Sequence, residues 1–383
     1  MQIVNRFATE DFVMSMLDKT DLDLFYSALI RGKANPNEPL NITTYEGGQN
    51  QPTHPKVLFF QNGWNGHKYW MVYTPYPNND SFHENPCITY SDDGVNWNED
   101  GISNPILSIP EEHRGSWYSD PHLVYIPNTS TMELWVRYCS RGTDGLENGW
   151  EGVYRLTSTD GINWSDKEEL YHTVDTSWAS VLSPSVIYDE GKYKIWFIYQ
   201  RSCLKYYESA DGRNWQYIKD ISNNIATLGS YKMWHFDMIK TDKGYEFVCC
   251  YQINGKFDKN NYIGYSYSLD NEYFEPVIPV LSNGPKGSFD DLELYRPCLV
   301  KVNNKYRMYY GAQKNIRIWH IGLVEAPTME VLYLLLKSNK SNLPSNESTD
   351  TVNSFDESTW TPGYYNDKGI FIESENNLVM HCS

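Results

Sequence analysis

Five apolar runs, dense in Tyr, Trp, Phe and branched residues, punctuate an otherwise polar chain: Tyr69–Tyr73, Glu133–Tyr138, Tyr193–Tyr199, Tyr245–Tyr251 and Tyr306–Tyr310. Such short aromatic stretches predict strands. Each is preceded by a second apolar segment. These entries are His54-Pro55-Lys56-Val57-Leu58, Asp120-Pro121-His122-Leu123-Val124, Ser183-Pro184-Ser185-Val186-Ile187, His235-Phe236-Asp237-Met238-Ile239 and Arg296-Pro297-Cys298-Leu299-Val300. Their first residues lie 66, 63, 52 and 61 positions apart.

After the aromatic run comes a turn signal, Ser91-Asp92-Asp93-Gly94-Val95-Asn96-Trp97, repeated as Ser158 to Trp164 and Ser209 to Trp215. A fourth copy, Ser268 to Phe274, carries Asn271 where the others carry Gly. Asp-Gly supplies the positive φ of a tight hairpin, and Asn is the next best residue there. Each unit reads as strand, turn, strand, loop, strand, hairpin, strand. Five such units predict an all-β fold, a five-bladed β-propeller over residues 50–326 with short N-terminal and C-terminal extensions. Residues 1–49 hold Phe12, Val13, Met16, Leu17, Leu22, Leu24 and Phe25, which suggests a helical extension for attachment to another protein. Residues 327–383 read as a C-terminal linker and a short terminal segment, with Ser, Asn and Thr abundant over 337–358.

Composition narrows the class. The formal net charge of −17 opposes nucleic acid and anionic membrane surfaces. No apolar stretch is long enough to insert in a membrane, and the N-terminus has no apolar leader, which fits synthesis in a cytoplasm. Seven scattered cysteines give neither a disulfide framework nor a metal-ligand spacing. No cofactor and no metal are expected. The 31 Tyr and 13 Trp supply a core.

Strand parity selects a working face. The starts of first strands and the loops joining second to third strands share one face, and the Asp-Gly hairpins lie on the other. The starts give an inner ring of His54, Asp120, Ser183, His235 and Arg296, with Trp117, Tyr118, Trp178, Trp234 and Tyr295 just before it and Tyr76 in a loop. Aromatic rings beside carboxylates, amides and Arg suit a sugar, whose apolar face stacks while its hydroxyls hydrogen-bond. His54, Tyr76, Trp117, Tyr118, Asp120, Trp178, Trp234, His235 and Arg296 are the candidate ligand-binding residues. Trp97, Trp164 and Trp215 are expected to be structural, each ring packing back on its own blade.

The Xaa-Pro strand starts and Ser-Xaa-Asp-Gly-Xaa-Asn-Trp hairpins resemble the five-bladed propellers of furanosidase-type glycoside hydrolases, such as families 43, 32 and 130. That resemblance implies a carboxylate base on the first blade, a second Asp on the next and a Glu acid on the third. The first position holds His54, the second Asp120, and the third Ser183. For an enzyme, Asp120, Asp237 and Glu293 are then the candidate catalytic carboxylates.

A second resemblance lies in the first unit. Thr53 to Phe60, Asn62 to Gly66, Lys68 to Met71, Thr74 to Pro77 and Glu84 to Pro86 resemble a segment of tail proteins from phages infecting Gram-positive bacteria. It implies a phage tail receptor-binding protein, carried in the virion. Its funnel would recognise a teichoic-acid-like cell-wall glycopolymer, and its partners would be other tail or baseplate proteins and a homotrimer. That is the leading expectation. A glycoside hydrolase or phosphorylase of the same fold is the alternative.

Overall fold

The computed structural model of the chain describes residues 38–47, 49–140, 149–174, 180–253, 261–314, 318–338, 363–365 and 371–373. Five antiparallel sheets form the blades. The first holds β1 (Pro52–Trp64), β2 (His67–Pro75) and β3 (Cys87–Ser91), its outer position completed by a bridge between Tyr90 and Asn98. The second runs β4 (Trp117–Ile126), β5 (Thr131–Ser140), β6 (Trp150–Ser158) and β7 (Glu168–Thr173). The third runs β8 (Leu182–Asp189), β9 (Lys192–Tyr199), β10 (Cys203–Ser209) and β11 (Gln216–Ile221).

The fourth adds a short edge strand: β12 (Thr227–Leu228), β13 (Tyr231–Thr241), β14 (Gly244–Gln252), β15 (Tyr262–Ser268) and β16 (Ile278–Ser282). The fifth is β17 (Glu293–Val302), β18 (Lys305–Lys314) and β19 (Ile318–Ala326). The inner strands β1, β4, β8, β13 and β17 touch neighbour to neighbour, and β17 closes on β1. The five-bladed propeller expected from the repeats is therefore what the chain forms.

Closure is reinforced from outside. Leu40 N donates to Ile321 O (2.8 Å) at the edge of β19, and Ile42 is buried among Val57, Cys298, Val300 and Ile321 of the first and fifth blades. Residues 1–37 lie outside the described residues, as do 339–362. The stretch expected as linker begins instead with a helix, α1 (Met329–Ser338), whose Met329, Val331, Leu332 and Leu336 are buried against the fourth and fifth blades. No helix among the described residues is long and apolar enough to cross a membrane. The six described cysteines are free and buried.

The hairpin repeats are stereochemically alike. In each, Ser donates to the Asp carboxylate two residues on, at 3.0, 3.0, 2.9 and 3.1 Å for Ser91, Ser158, Ser209 and Ser268. The same carboxylate accepts two backbone N–H groups, as Asp160 does from Ile162 and Asn163. The fourth turn residue is left-handed throughout: φ is 73° at Gly94, 78° at Gly161, 70° at Gly212 and 63° at Asn271.

The following Trp is half-buried in a cluster that holds residues of its own blade and of the preceding one. Trp97 meets Tyr309 of the fifth blade (centroids 6.0 Å) and Trp215 meets Trp135 of the second (5.9 Å). A strand-three hairpin overhangs the neighbour because each sheet is twisted relative to the next. The rings thus join blades.

Candidate active site

Each inner strand opens with a bulge. On β1 the register jumps from Thr53↔Thr74 to Lys56↔Val72, so His54 and Pro55 oppose one residue. Asp120 and Pro121 on β4, Ser183 and Pro184 on β8, and Tyr295 and Arg296 on β17 repeat it; β13 skips at Trp234. Proline has no N–H for the ladder, so on β1, β4 and β8 the Xaa-Pro pair favours the irregularity. His54, Asp120 and Ser183 all have φ of 52°, a left-handed conformation unusual for non-glycine residues and strained at about 1–3 kcal/mol each. Bulges of this kind re-aim side chains beside functional sites.

Side chains at the bulges converge in the funnel. Asp120 Oδ1 lies 2.9 Å from His235 Nδ1 and 3.8 Å from His54 Nε2. Ser183 Oγ donates to Asp120 Oδ1 (3.2 Å) and lies 2.6 Å from His235 Nδ1. One ligand atom from each of His54, Asp120 and His235 falls within 4.8 Å of the others, an arrangement that can hold a metal ion. Two imidazoles and one carboxylate are a donor set for zinc or a related divalent ion.

The surroundings fit such an ion. His54 Nε2 and His235 Nε2 are buried and have no hydrogen-bond partner among the described residues. The other nitrogen of His54 sits 2.9 Å from Thr74 Oγ1, the outer contact that orients a ligating histidine. Burial holds both imidazoles below their usual range, and so neutral, although Asp120 opposes the shift. Burial opposes ionisation of Asp120, yet His235, His54 and Arg296 hold its carboxyl well below the usual range. Neutral imidazoles and an ionised carboxylate are the protonation states a metal requires. The sequence offered no metal-ligand spacing because these three groups come from three blades.

Further carboxyls line the wall. Glu84 Oε2 lies 4.0 Å from His54 Nδ1, and burial with nearby Asp120 raises its carboxyl well above the ordinary value. Glu293 accepts from Gln252 Nε2 (2.6 Å), and burial pushes it up to about 8. Tyr76 feels both Glu84 and Glu293, and packs on Trp319 (5.4 Å). Tyr295 stacks obliquely on His235 (4.3 Å) and His54 (5.2 Å).

Some expected site residues sit elsewhere. Residues two places along each inner strand point down the same axis and build a second layer beneath the first. There Lys56 Nζ donates to both oxygens of Asp237 (2.7 and 2.8 Å), which also accepts from Leu299 N (3.0 Å). Asp237 is a buried structural ion pair, not a catalytic carboxylate. Arg296 is as deeply buried as Asp120; it donates to Pro121 O (2.9 Å) and stands 3.8 Å from Asp120, so its charge is directed at that carboxylate.

Tyr118 is buried inside the second blade against Tyr138 and accepts from Lys167 Nζ (2.7 Å), so it does not bind a ligand. Trp117 is half-buried at the mouth of β4. Trp234 remains on the funnel wall, half-buried beside His235 and under the Arg201 guanidinium (5.2 Å). Trp178 lies outside the described residues. Gln252 was missing from the expected set; Glu84 occupies a strand-two to strand-three loop, the class of position that parity had already marked.

No family model matches the chain. A curated relative is the A type blood N-acetyl-α-D-galactosamine deacetylase of Flavonifractor plautii, 27% identical, with 88% of this chain aligned to 52% of the relative. The chain thus spans about half the length of the curated relative it matches. Among solved structures, an N-acetylgalactosamine deacetylase from F. plautii, in complex with blood group B trisaccharide, superposes with a TM-score of 0.69. It is 23% identical and covers 79% of this chain and 98% of its own. A mutant of the family-43 glycoside hydrolase BlXynB from Bacillus licheniformis gives 0.51 at 13% identity, covering 84% of this chain and 54% of its own.

The five-bladed propeller fold is therefore shown. The phage tail receptor-binding reading is overturned: the relative aligned along most of the chain is a carbohydrate-active enzyme, not a tail protein.

Proposed function

We propose that this chain is a metal-dependent hydrolase that removes the acetyl group from an N-acetylated sugar. The observation that carries it is the trio of His54, Asp120 and His235, with ligand atoms within 4.8 Å, in a chain related to an N-acetylgalactosamine deacetylase. A divalent ion held there supplies a Lewis acid at the amide carbonyl and lowers the pKa of water. In the hydrolysis the water oxygen bonds to the acetyl carbon, the C–N bond breaks, and acetate leaves. The water's proton ends on the departing amine. Glu84, a buried carboxyl 4.0 Å from the outer nitrogen of His54 and close enough to Asp120 to be raised by it, is the group we assign to carry that proton. Thr74 and Ser183 fix the imidazoles, and Tyr295 and Trp234 offer apolar faces to the sugar ring.

A glycoside hydrolase is the second reading, favoured by the two buried carboxyls Glu84 and Glu293 on the working face. His54 and Ser183, standing where the family-43 mechanism needs carboxylates, weigh against it. The two separate in one assay. Zinc- or manganese-loaded protein is incubated with methyl α-N-acetylgalactosaminide and N-acetylgalactosamine-terminated oligosaccharides, and acetate and released sugar are measured. The expected result is acetate release that a chelator stops and His54→Ala abolishes. Sugar release without acetate, unaffected by chelator, would overturn the deacetylase reading.

A further inference from the structure

The wall between the fourth and fifth blades carries a polar pair that the metal trio does not use. Gln252 ends β14 and Glu293 begins β17, so both stand on the working face. Gln252 Nε2 donates to Glu293 Oε1 at 2.6 Å. Glu293 Oε2 is buried, with the residue only 1% exposed, and has no hydrogen-bond partner among the described residues. Leaving a buried oxygen unsatisfied costs about 1–3 kcal/mol. At the start of an inner strand on the working face, that oxygen is placed to take a ligand hydroxyl as its partner.

The neighbours indicate the kind of partner. Glu293 stands two residues before Tyr295 on β17, and Tyr295 packs on His235 and His54. An aromatic face beside an unsatisfied carboxyl oxygen and an amide is a pattern for a sugar, whose hydroxyl both donates and accepts. Burial pushes the Glu293 carboxyl up to about 8, so at neutral pH it is largely an uncharged group that can donate as well as accept.

We propose that Glu293, held in place by Gln252, is a specificity residue that hydrogen-bonds a ring hydroxyl of the sugar whose acetamido group lies at the metal trio. This rests on the deacetylase reading and adds to it the residue that selects the sugar. A site built to pair a hydroxyl rejects analogues lacking it by large factors, because its own buried polar group is then left unpaired.

The test uses Glu293→Gln, which keeps size and shape while replacing the carboxyl, and Gln252→Leu, which releases Glu293 without touching it. Metal-loaded parent and variants are assayed against methyl α-N-acetylgalactosaminide and its 3-, 4- and 6-deoxy analogues. The parent should lose at least about 100-fold in kcat/KM on one deoxy analogue. Glu293→Gln should show a KM raised about tenfold or more on the full sugar, a kcat within about threefold, unchanged metal content, and that one analogue's penalty reduced to below about fivefold. Gln252→Leu should move in the same direction by less.

A variant that folds and binds metal but keeps the parent's KM and its full discrimination among the analogues would overturn the proposal. So would a fall in kcat alone. If the parent releases no acetate, the deacetylase reading fails by itself. Calorimetric binding of the same four sugars then judges Glu293, with equal affinities in parent and both variants refuting the assignment.

Discussion

On the turn face of this propeller, four hairpins repeat the same side chains in the same roles. Ser donates to Asp, Asp accepts two backbone N–H groups, and a left-handed Gly or Asn turns the chain. On the funnel face the backbone also repeats, as a bulge on each inner strand, but the residues there are His, Asp, Ser, His and Arg. Identical side chains mean that each copy satisfies only its own turn. Different side chains on an identical backbone mean that the copies act on one another, because the bulges meet at the axis. Three of the left-handed non-glycine residues, His54, Asp120 and Ser183, stand at these bulges, where residues converge.

The contrast is sharpest in a pair of substitutions. His235→Gln should remove a ligand and lower acetate release by about a thousandfold or more, since several kcal/mol of transition-state stabilisation go with the metal. Its stability should stay within about 2 kcal/mol of the parent. Assay and thermal unfolding on the same preparation check this. A variant that retains activity and metal would remove His235 from the site.

Gly161→Ala should do the reverse. A Cβ there would stand 2.5 Å from the Trp70 ring at a φ of +78°. Strained backbone and overpacking together should cost about 2–4 kcal/mol in urea unfolding, with metal affinity unchanged. Gly212→Ala is a milder version. Its nearest obstacle, at 2.6 Å, is the end of the Arg155 side chain, which can swing aside, so about 1–2 kcal/mol is expected. Equal losses at the two glycines would mean that the backbone alone, and not the neighbouring blade, sets the cost.

Smaller still is the loss of one turn carboxylate. Asp160→Ala removes the acceptor for two backbone N–H groups and should cost about 1–2 kcal/mol, with activity kept. Its pH dependence has a definite sign. Although burial opposes the shift, hydrogen bonds from Asn163 and Ile162 lower the Asp160 carboxyl to about 2, and Asp93 behaves alike. A depressed folded-state value stabilises the fold above the unfolded value and loses that contribution as protons bind. The stability gap between parent and Asp160→Ala should therefore be full at neutral pH and shrink between about pH 4 and pH 2. A gap that persists at pH 2 would show that the carboxylate charge is not what holds the turn.

Much of this molecule was legible before any coordinates. The ordered repeat of entries, aromatic runs and hairpins specified five blades, and strand parity assigned His54, Asp120, Ser183 and His235 to one face. Parity says nothing about depth along the axis. Asp237 therefore looked like a funnel carboxylate although it lies one layer down, paired with Lys56, and Arg296 looked like a phosphate clamp although it donates to Pro121 O beside Asp120. Tyr118 looked like a sugar platform for the same reason: its position before a strand start is right, but its side chain turns into the second blade.

The sequence by itself determined the fold, because turn chemistry, proline placement and aromatic density act over a few residues and are written where they act. It also determined which residues open the inner strands. Only the tertiary structure decided that two histidines and one aspartate, separated by 66 and 115 positions, form a single donor set. The same holds for the blades that each hairpin Trp joins and for the unpaired oxygen of Glu293. Those facts depend on ring closure, which brings together strands whose separation along the chain carries no trace of their proximity in space.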